Sequence, residues 1–180
     1  NTVQMYRHDR LEFIKKEIER AQNDGIYLGF KIVRGAYMEK ERERAEEKGY
    51  QSPIQPDKTS TDRDFNAALE LCIKNIERVA ICAGTHNEDS SLLLTKLIEE
   101  NGIAKDDKRV FFAQLLGMSD HISLNLANTG YEVAKYVPYG PIKEVLPYLI
   151  RRAEENTSVA GQTGRELSLI KKEIKRRRSL

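Results

Sequence analysis

Five short apolar runs, each followed by a stretch with apolar residues at helical spacing, constrain the fold of this chain more than any other feature. The runs are TVQMY (2–6), LGFKIVRGAY (28–37), VAICAGTHN (79–87), RVFFAQLLGM (109–118) and EVAKYVPYGP (132–141). Turn-forming or polar residues bound each of them, as expected of strands. Between them, RLEFIKKEIERAQNDG (10–25) repeats Leu11, Ile14, Ile18 and Ala21 on one face and ends on Gly25, a typical C-cap residue. TDRDFNAALELCIKNIERV (61–79) places Phe65, Ala68, Leu69, Cys72 and Ile76 together, and EDSSLLLTKLIEENG (88–102) and SDHISLNLANTG (119–130) follow the same plan and close on glycine. The last run leads into IKEVLPYLIRRAEEN (142–156), where Pro147 is expected to kink or reset the helix. Strand and helix in unbroken alternation predict an α/β fold with a parallel sheet. The one long connection, 38–60, holds a charged helical piece and a loop with prolines, and no second domain is apparent.

Composition narrows the class. A chain of 180 residues, 39% hydrophobic and 32% charged, can bury one sizeable core and is too apolar to be disordered. No apolar run approaches the roughly 18 residues of a membrane span, and the first ten residues have no secretory pattern. Cys72 and Cys82 lie in apolar periodic segments without metal-ligand spacing, so both read as buried thiols, and His8, His86 and His121 are too scattered for zinc. Phosphate-loop, dinucleotide and nucleophile-elbow fingerprints are all missing. Residues 165–180 carry seven Lys and Arg against two Glu within a chain of net charge +2. Such a basic terminal helix suits an acidic membrane surface or nucleic acid, or serves as a solvated end.

The polar residues gather at the strand ends: Gln4, RGAY, GTHN, QLLGM and YVPYGP. Ligands of α/β folds bind outside the carboxyl ends of the strands, so five enriched ends predict one shared site. In YLIRRAEEN (148–156), Tyr148, Arg151, Arg152 and Glu155 fall on one helical face. An arginine pair offers planar donor forks to a carboxylate or phosphate; a solvated ion-paired face is the plainer alternative.

VRGAY (33–37), THN (85–87), QLLGM (114–118), YVPYGP (136–141) and YLIRRAEEN (148–156), in this order and at these intervals, strongly resemble the proline dehydrogenase family, from about Thr2 to Asn156. The resemblance implies a (β/α)8 TIM-type barrel with FAD at the C-terminal ends of its strands. It implies oxidation of L-proline to Δ1-pyrroline-5-carboxylate by hydride transfer from proline C5 to flavin N5, with electrons passed to a quinone. By the same resemblance Arg151 and Arg152 bind the proline carboxylate, and Tyr37, Leu115, Tyr136 and Tyr148 wall its ring. Gln4, Lys31, Arg34, Gly35, Ala36, Thr85, His86 and Glu155 contact FAD, with Lys31 and Tyr136 closest to the chemistry and no metal involved. Many bacterial members carry arginine where Lys31 stands and lysine where Arg34 stands, so KIVRGAY is closer to the mitochondrial form.

Each assignment has a physical sense of its own. Aromatic walls suit a pyrrolidine and guanidinium groups its carboxylate, while a cation at Lys31 suits a place where negative charge develops.

Five strands against eight implies that residues 1–180 are the C-terminal portion of one barrel, strands four to eight, with 157–180 as a basic helical tail. An acidic residue and a lysine that the family places in the site would belong to the first three strands. The isolated chain is then expected to dimerise or aggregate through its open sheet edges, to bind FAD weakly or not at all and to lack turnover. The location expected is cytoplasmic and peripheral to the inner membrane in a bacterium, or mitochondrial in a eukaryote, with no nucleic acid partner. Two readings stand as alternatives: a flavin-free TIM-barrel enzyme acting on a phosphorylated or carboxylated substrate, or a binding module that works through its basic tail.

Overall fold

The computed structural model describes residues 1–158 and 160–178; the side chains of Arg151, 153–158, 160–166 and 169 lie outside the described residues. Residues 1–136 form one compact unit and 137–180 a second.

In the first unit, strands β1 (Thr2–Gln4), β2 (Leu28–Val33), β3 (Val79–Gly84), β4 (Val110–Leu115) and β5 (Val133–Tyr136) form one sheet in sequence order. Every pairing is parallel, with Thr2 opposite Lys31, Lys31 opposite Cys82 and Leu115 opposite Tyr136. Helices α1 (Arg10–Asp24), α3 (Lys58–Lys74), α4 (Glu88–Glu100) and α5 (Asp120–Asn128) lie between successive strands, and α2 (Met38–Lys48) precedes α3 in the long connection.

The strands are shorter than the apolar runs that announced them. VRGAY leaves β2 after Val33, and THN and GM follow β3 and β4 as loops. Helix α3 starts at Lys58, earlier than the apolar periodicity indicates, because the Asp57 carboxylate accepts a 2.7 Å hydrogen bond from the Ser60 amide. Gly25 ends α1 in a left-handed C-cap, φ 70°, as its position predicts.

Alternation along each strand divides the sheet into two faces. Val3, Phe30, Ile32, Val79, Ile81, Ala83, Val110 and Phe112 are buried in one cluster with Ile14 and Ile18 of α1, Phe65, Leu69 and Ile73 of α3, and Leu94 and Ile98 of α4. Cys72 is fully buried in that cluster, whereas Cys82 points to the other face and is half-buried, a correction to the expectation that both are buried. The long connection is tied down at its far end, where buried Gln55 donates its amide to the Tyr6 carbonyl at 2.7 Å and its side chain to the buried Asp64 carboxylate.

The second unit consists of α6 (Ile142–Ser158) and α7 (Ala160–Arg178). Pro147 lies inside α6 without ending it. On α7, Leu167, Ile170 and Ile174 are exposed beside a strongly basic last turn.

Candidate active site

The sheet face opposite the core carries Thr2, Gln4, Gly29, Lys31, Val33, Ala80, Cys82, Gly84, Phe111, Ala113, Leu115, Ala134 and Tyr136. The set holds one cation, Lys31, and no carboxylate. Five of these thirteen residues are glycine or alanine. At Gly84 a Cβ would lie 2.9 Å from Val33 Cγ1 and 3.4 Å from Lys31 Cε, so the glycine lets Val33 pack close and leaves the lysine stem in contact with the strand.

Lys31 Nζ stands over the Tyr136 ring, 5.1 Å from its centroid. These residues belong to β2 and β5, three strand spacings apart, which is about 14 Å on a flat sheet. Their contact fits a sheet that is concave on this side, as the wall of a barrel is. Cation–π attraction holds the ammonium against the ring. Leu115, at the end of β4, is the strand neighbour of Tyr136, and Gln4 ends β1 on the same face.

Arg34 takes a different direction from Lys31. Its guanidinium donates Nε–H to Asp62 Oδ1 at 2.6 Å, Nη1–H to Thr85 Oγ1 at 2.7 Å and Nη2–H to Ser90 Oγ at 2.9 Å, and lies 4.3 Å over the Phe65 ring. Ser90 in turn donates to Asn66 Oδ1 at 2.7 Å. Burial alone would push the Asp62 carboxyl up; hydrogen bonds from Lys58 and Arg34, and their charges, outweigh it and leave it below the usual carboxylate range. Arg34 thus clamps the ends of β2 and β3 to α3 and α4, with two N–H groups left for another acceptor.

Gly35 has φ 122°, and a Cβ there would fall 1.4 Å from Tyr6 Cδ1. The glycine is required by the packing of buried Tyr6 against the backbone, independently of any cofactor. Ala36 follows in the same loop, and Tyr37, at the N-cap of α2, is 39% exposed. The buried Thr85 receives the Asn87 amide at 3.1 Å in addition to Arg34. His86 Nδ1 lies 2.9 Å from Ser119 Oγ. In the second unit, Arg152 Cζ lies 5.3 Å from the Tyr148 ring centroid. The side chains of Arg151 and Glu155 lie outside the described residues.

Sequence reasoning noted Gln114 only as part of QLLGM and missed the other residues that hold these groups, Asp62, Ser90 and Ser119. Gln114 carried the one available signal, a polar residue inside the apolar run RVFFAQLL. It is buried, donates to the Thr85 carbonyl at 3.2 Å and accepts from Ser123 Oγ at 2.9 Å.

A sequence profile of the proline dehydrogenase family matches residues 1–165. The chain belongs to the proline dehydrogenase family. Hydroxyproline dehydrogenase of Bos taurus is 45% identical over 181 residues, covering 98% of this chain and 39% of that protein. Proline dehydrogenase 1, mitochondrial, of Homo sapiens is 43% identical over 180 residues, covering 98% and 30%. The chain therefore spans between about a quarter and two fifths of the curated relatives it matches, from 28% to 40%. Among solved structures, proline utilization A from Bdellovibrio bacteriovorus, inactivated by N-propargylglycine, superposes with a TM-score of 0.80 at 28% identity, over 87% of this chain and 16% of that one. The parallel five-stranded sheet is thus the proline dehydrogenase fold of a TIM-type barrel, present here in part.

Proposed function

We propose that the protein containing these residues oxidises L-proline to Δ1-pyrroline-5-carboxylate with FAD as cofactor and a quinone as electron acceptor. The observation that carries this reading is the meeting of Lys31 and Tyr136 across the concave, acid-free sheet face. The residues fit a flavin in chemistry, offering one cation at Lys31 and the Gln4 amide on a face whose strand positions carry no carboxylate.

When bound, FAD supplies the hydride acceptor. Lys31 then places positive charge where negative charge would develop, the largest kind of contribution a fixed group can make. By the family resemblance Tyr37, Leu115, Tyr136 and Tyr148 would wall the apolar ring of proline, and Arg151 and Arg152 would bind its carboxylate. Gln4, Gly35, Ala36, Thr85, His86 and Glu155 contact the cofactor. Arg34, fixed by Asp62, Thr85 and Ser90, reaches it with its remaining N–H groups.

Residues 1–180 are in this reading the C-terminal part of one barrel. β1 and β5 each have one neighbour in the described sheet, and three further strands would close it. The isolated chain then self-associates through those edges. The protein acts at a membrane, mitochondrial in a eukaryote. No helix among the described residues is long and apolar enough to cross a membrane. The basic turn of α7 supports contact with anionic lipid.

The test is an anaerobic absorbance spectrum of the full-length protein before and after L-proline, with hydroxyproline in parallel. Flavin bands should bleach with proline and persist in the R151M/R152M variant. A colourless protein that takes up no added FAD would remove the flavoenzyme reading.

A further inference from the structure

Ser119 is the one non-glycine residue with positive φ among the described residues, at φ 52° and ψ 42°. It is buried and occupies the N-cap position of α5. A serine there ordinarily turns its hydroxyl onto the free N–H groups of its own helix. Its neighbours do so: Asn87 accepts from the Ser90 amide at 2.9 Å to cap α4, and Asp57 accepts from the Ser60 amide to cap α3. Ser119 makes no such bond. Its Oγ lies instead 2.9 Å from Nδ1 of His86, on the loop that follows β3.

The contact thus costs stability twice. A left-handed serine is strained, and the forgone cap leaves the first turn of α5 less well satisfied. Strain of this kind persists only where the surroundings fix it, and here they do. Buried Gln114 bridges the Thr85 carbonyl to Ser123 Oγ, and the Ser119 carbonyl accepts from Ser123 Oγ at 3.2 Å. One buried network therefore holds the backbone on both sides of the contact, next to His86 and at Ser119 itself.

We propose that Ser119 is a positioning residue for His86. Its hydroxyl, placed by the left-handed turn, sets the plane of the imidazole whichever way the hydrogen bond runs, so that the ring meets the cofactor in a single orientation. Ser119 does not itself touch the cofactor. The inference rests on His86 being a cofactor contact, and it separates the hydroxyl from the fold: the same residue that weakens α5 tightens the site.

Two variants of the full-length protein dissociate these effects. Ser119→Gly removes the hydroxyl and relieves the backbone; Tm should rise by about 2–4 °C. Ser119→Ala removes the hydroxyl but keeps the strain, so its Tm should lie below that of the glycine variant. In both, the dissociation constant for FAD, measured by flavin fluorescence on the apoprotein, should rise about three- to tenfold, the worth of one hydrogen bond. Both should also shift the ring 15N resonances of His86 recorded without flavin. FAD affinity that follows Tm across the two variants would overturn the proposal, as would His86 resonances that do not move. Should the unmodified protein take up no FAD, the cofactor reading fails and the His86 resonances alone decide the role of Ser119.

Discussion

Along β2, Phe30 and Ile32 are sealed against the helices while Lys31 and Val33 turn to the concave side, and the same division continues through β3 and β4. The helix side is made of buried apolar residues in one cluster, where truncating a large one leaves a cavity. The concave side is made of glycine, alanine, one lysine and a few polar or aromatic residues at the strand ends. Stability is therefore concentrated on one face and the residues proposed for chemistry on the other, although both are encoded in the same six-residue segments.

The sharpest way to break this comparison is to exchange effects between neighbours. Phe112 is fully buried and meets Tyr131 edge to face at 5.5 Å. Phe112→Ala should cost about 3–5 kcal/mol, read as a lowered midpoint in urea denaturation. A loss below about 1 kcal/mol would mean that the helix side is not the stability-bearing face.

The Arg34 clamp lies where the two faces meet, and it should give an intermediate effect. Asp62→Asn keeps the shape but removes the charge facing Arg34 and Lys58. Because the pair is partly exposed, the expected loss is about 1–2 kcal/mol. The sign with pH follows from the depressed carboxyl of Asp62. Its contribution is fully present above the unfolded value of about 4 and disappears as pH falls through the lower folded value. Denaturation midpoints of the two proteins should therefore converge on acidification below about pH 4; a constant gap would remove the charge argument.

Lys31→Met should do the reverse of Phe112→Ala. Stability should change by no more than about 0.5 kcal/mol, since a half-buried residue on an open face is replaced by an apolar one of similar length. Proline-dependent bleaching of the flavin should slow by about two orders of magnitude or more, as for other lost electrostatic contacts at a reacting centre. Bleaching at the normal rate would detach Lys31 from the chemistry.

The division into faces also explains what was legible in the sequence. Strand and helix alternation, and the helix-side residues Ile14, Phe65 and Leu69, follow from period and hydrophobicity, which are local properties. The meeting of Lys31 with Tyr136 was not legible, because it depends on curvature accumulated over four strands. Gly35 was read as a cofactor contact, yet its nearest constraint is Tyr6, a residue 29 positions earlier brought alongside by the pairing of β1 with β2. Asp62, Ser90 and Ser119 look like ordinary helix-start residues in sequence. Their partners lie on other elements, so only the tertiary fold distinguishes Ser119, which leaves its own helix uncapped, from Asn87, which caps one.

The smallest effect probes the electrostatics of the concave face directly. Burial pushes the Cys72 thiol up to about 12, so it should stay unreactive until the protein unfolds. Burial raises the Cys82 thiol too, but the charge of Lys31, its partner across β2 and β3, acts in the opposite sense. A thiol-exchange reagent should therefore modify Cys82 well before Cys72. In the Lys31→Met background the Cys82 rate should fall severalfold, because the thiolate loses its nearby cation while its burial is unchanged. An unchanged rate would place the ammonium too far from the sheet to act on it, and would weaken the case for Lys31 as the source of positive charge on this face.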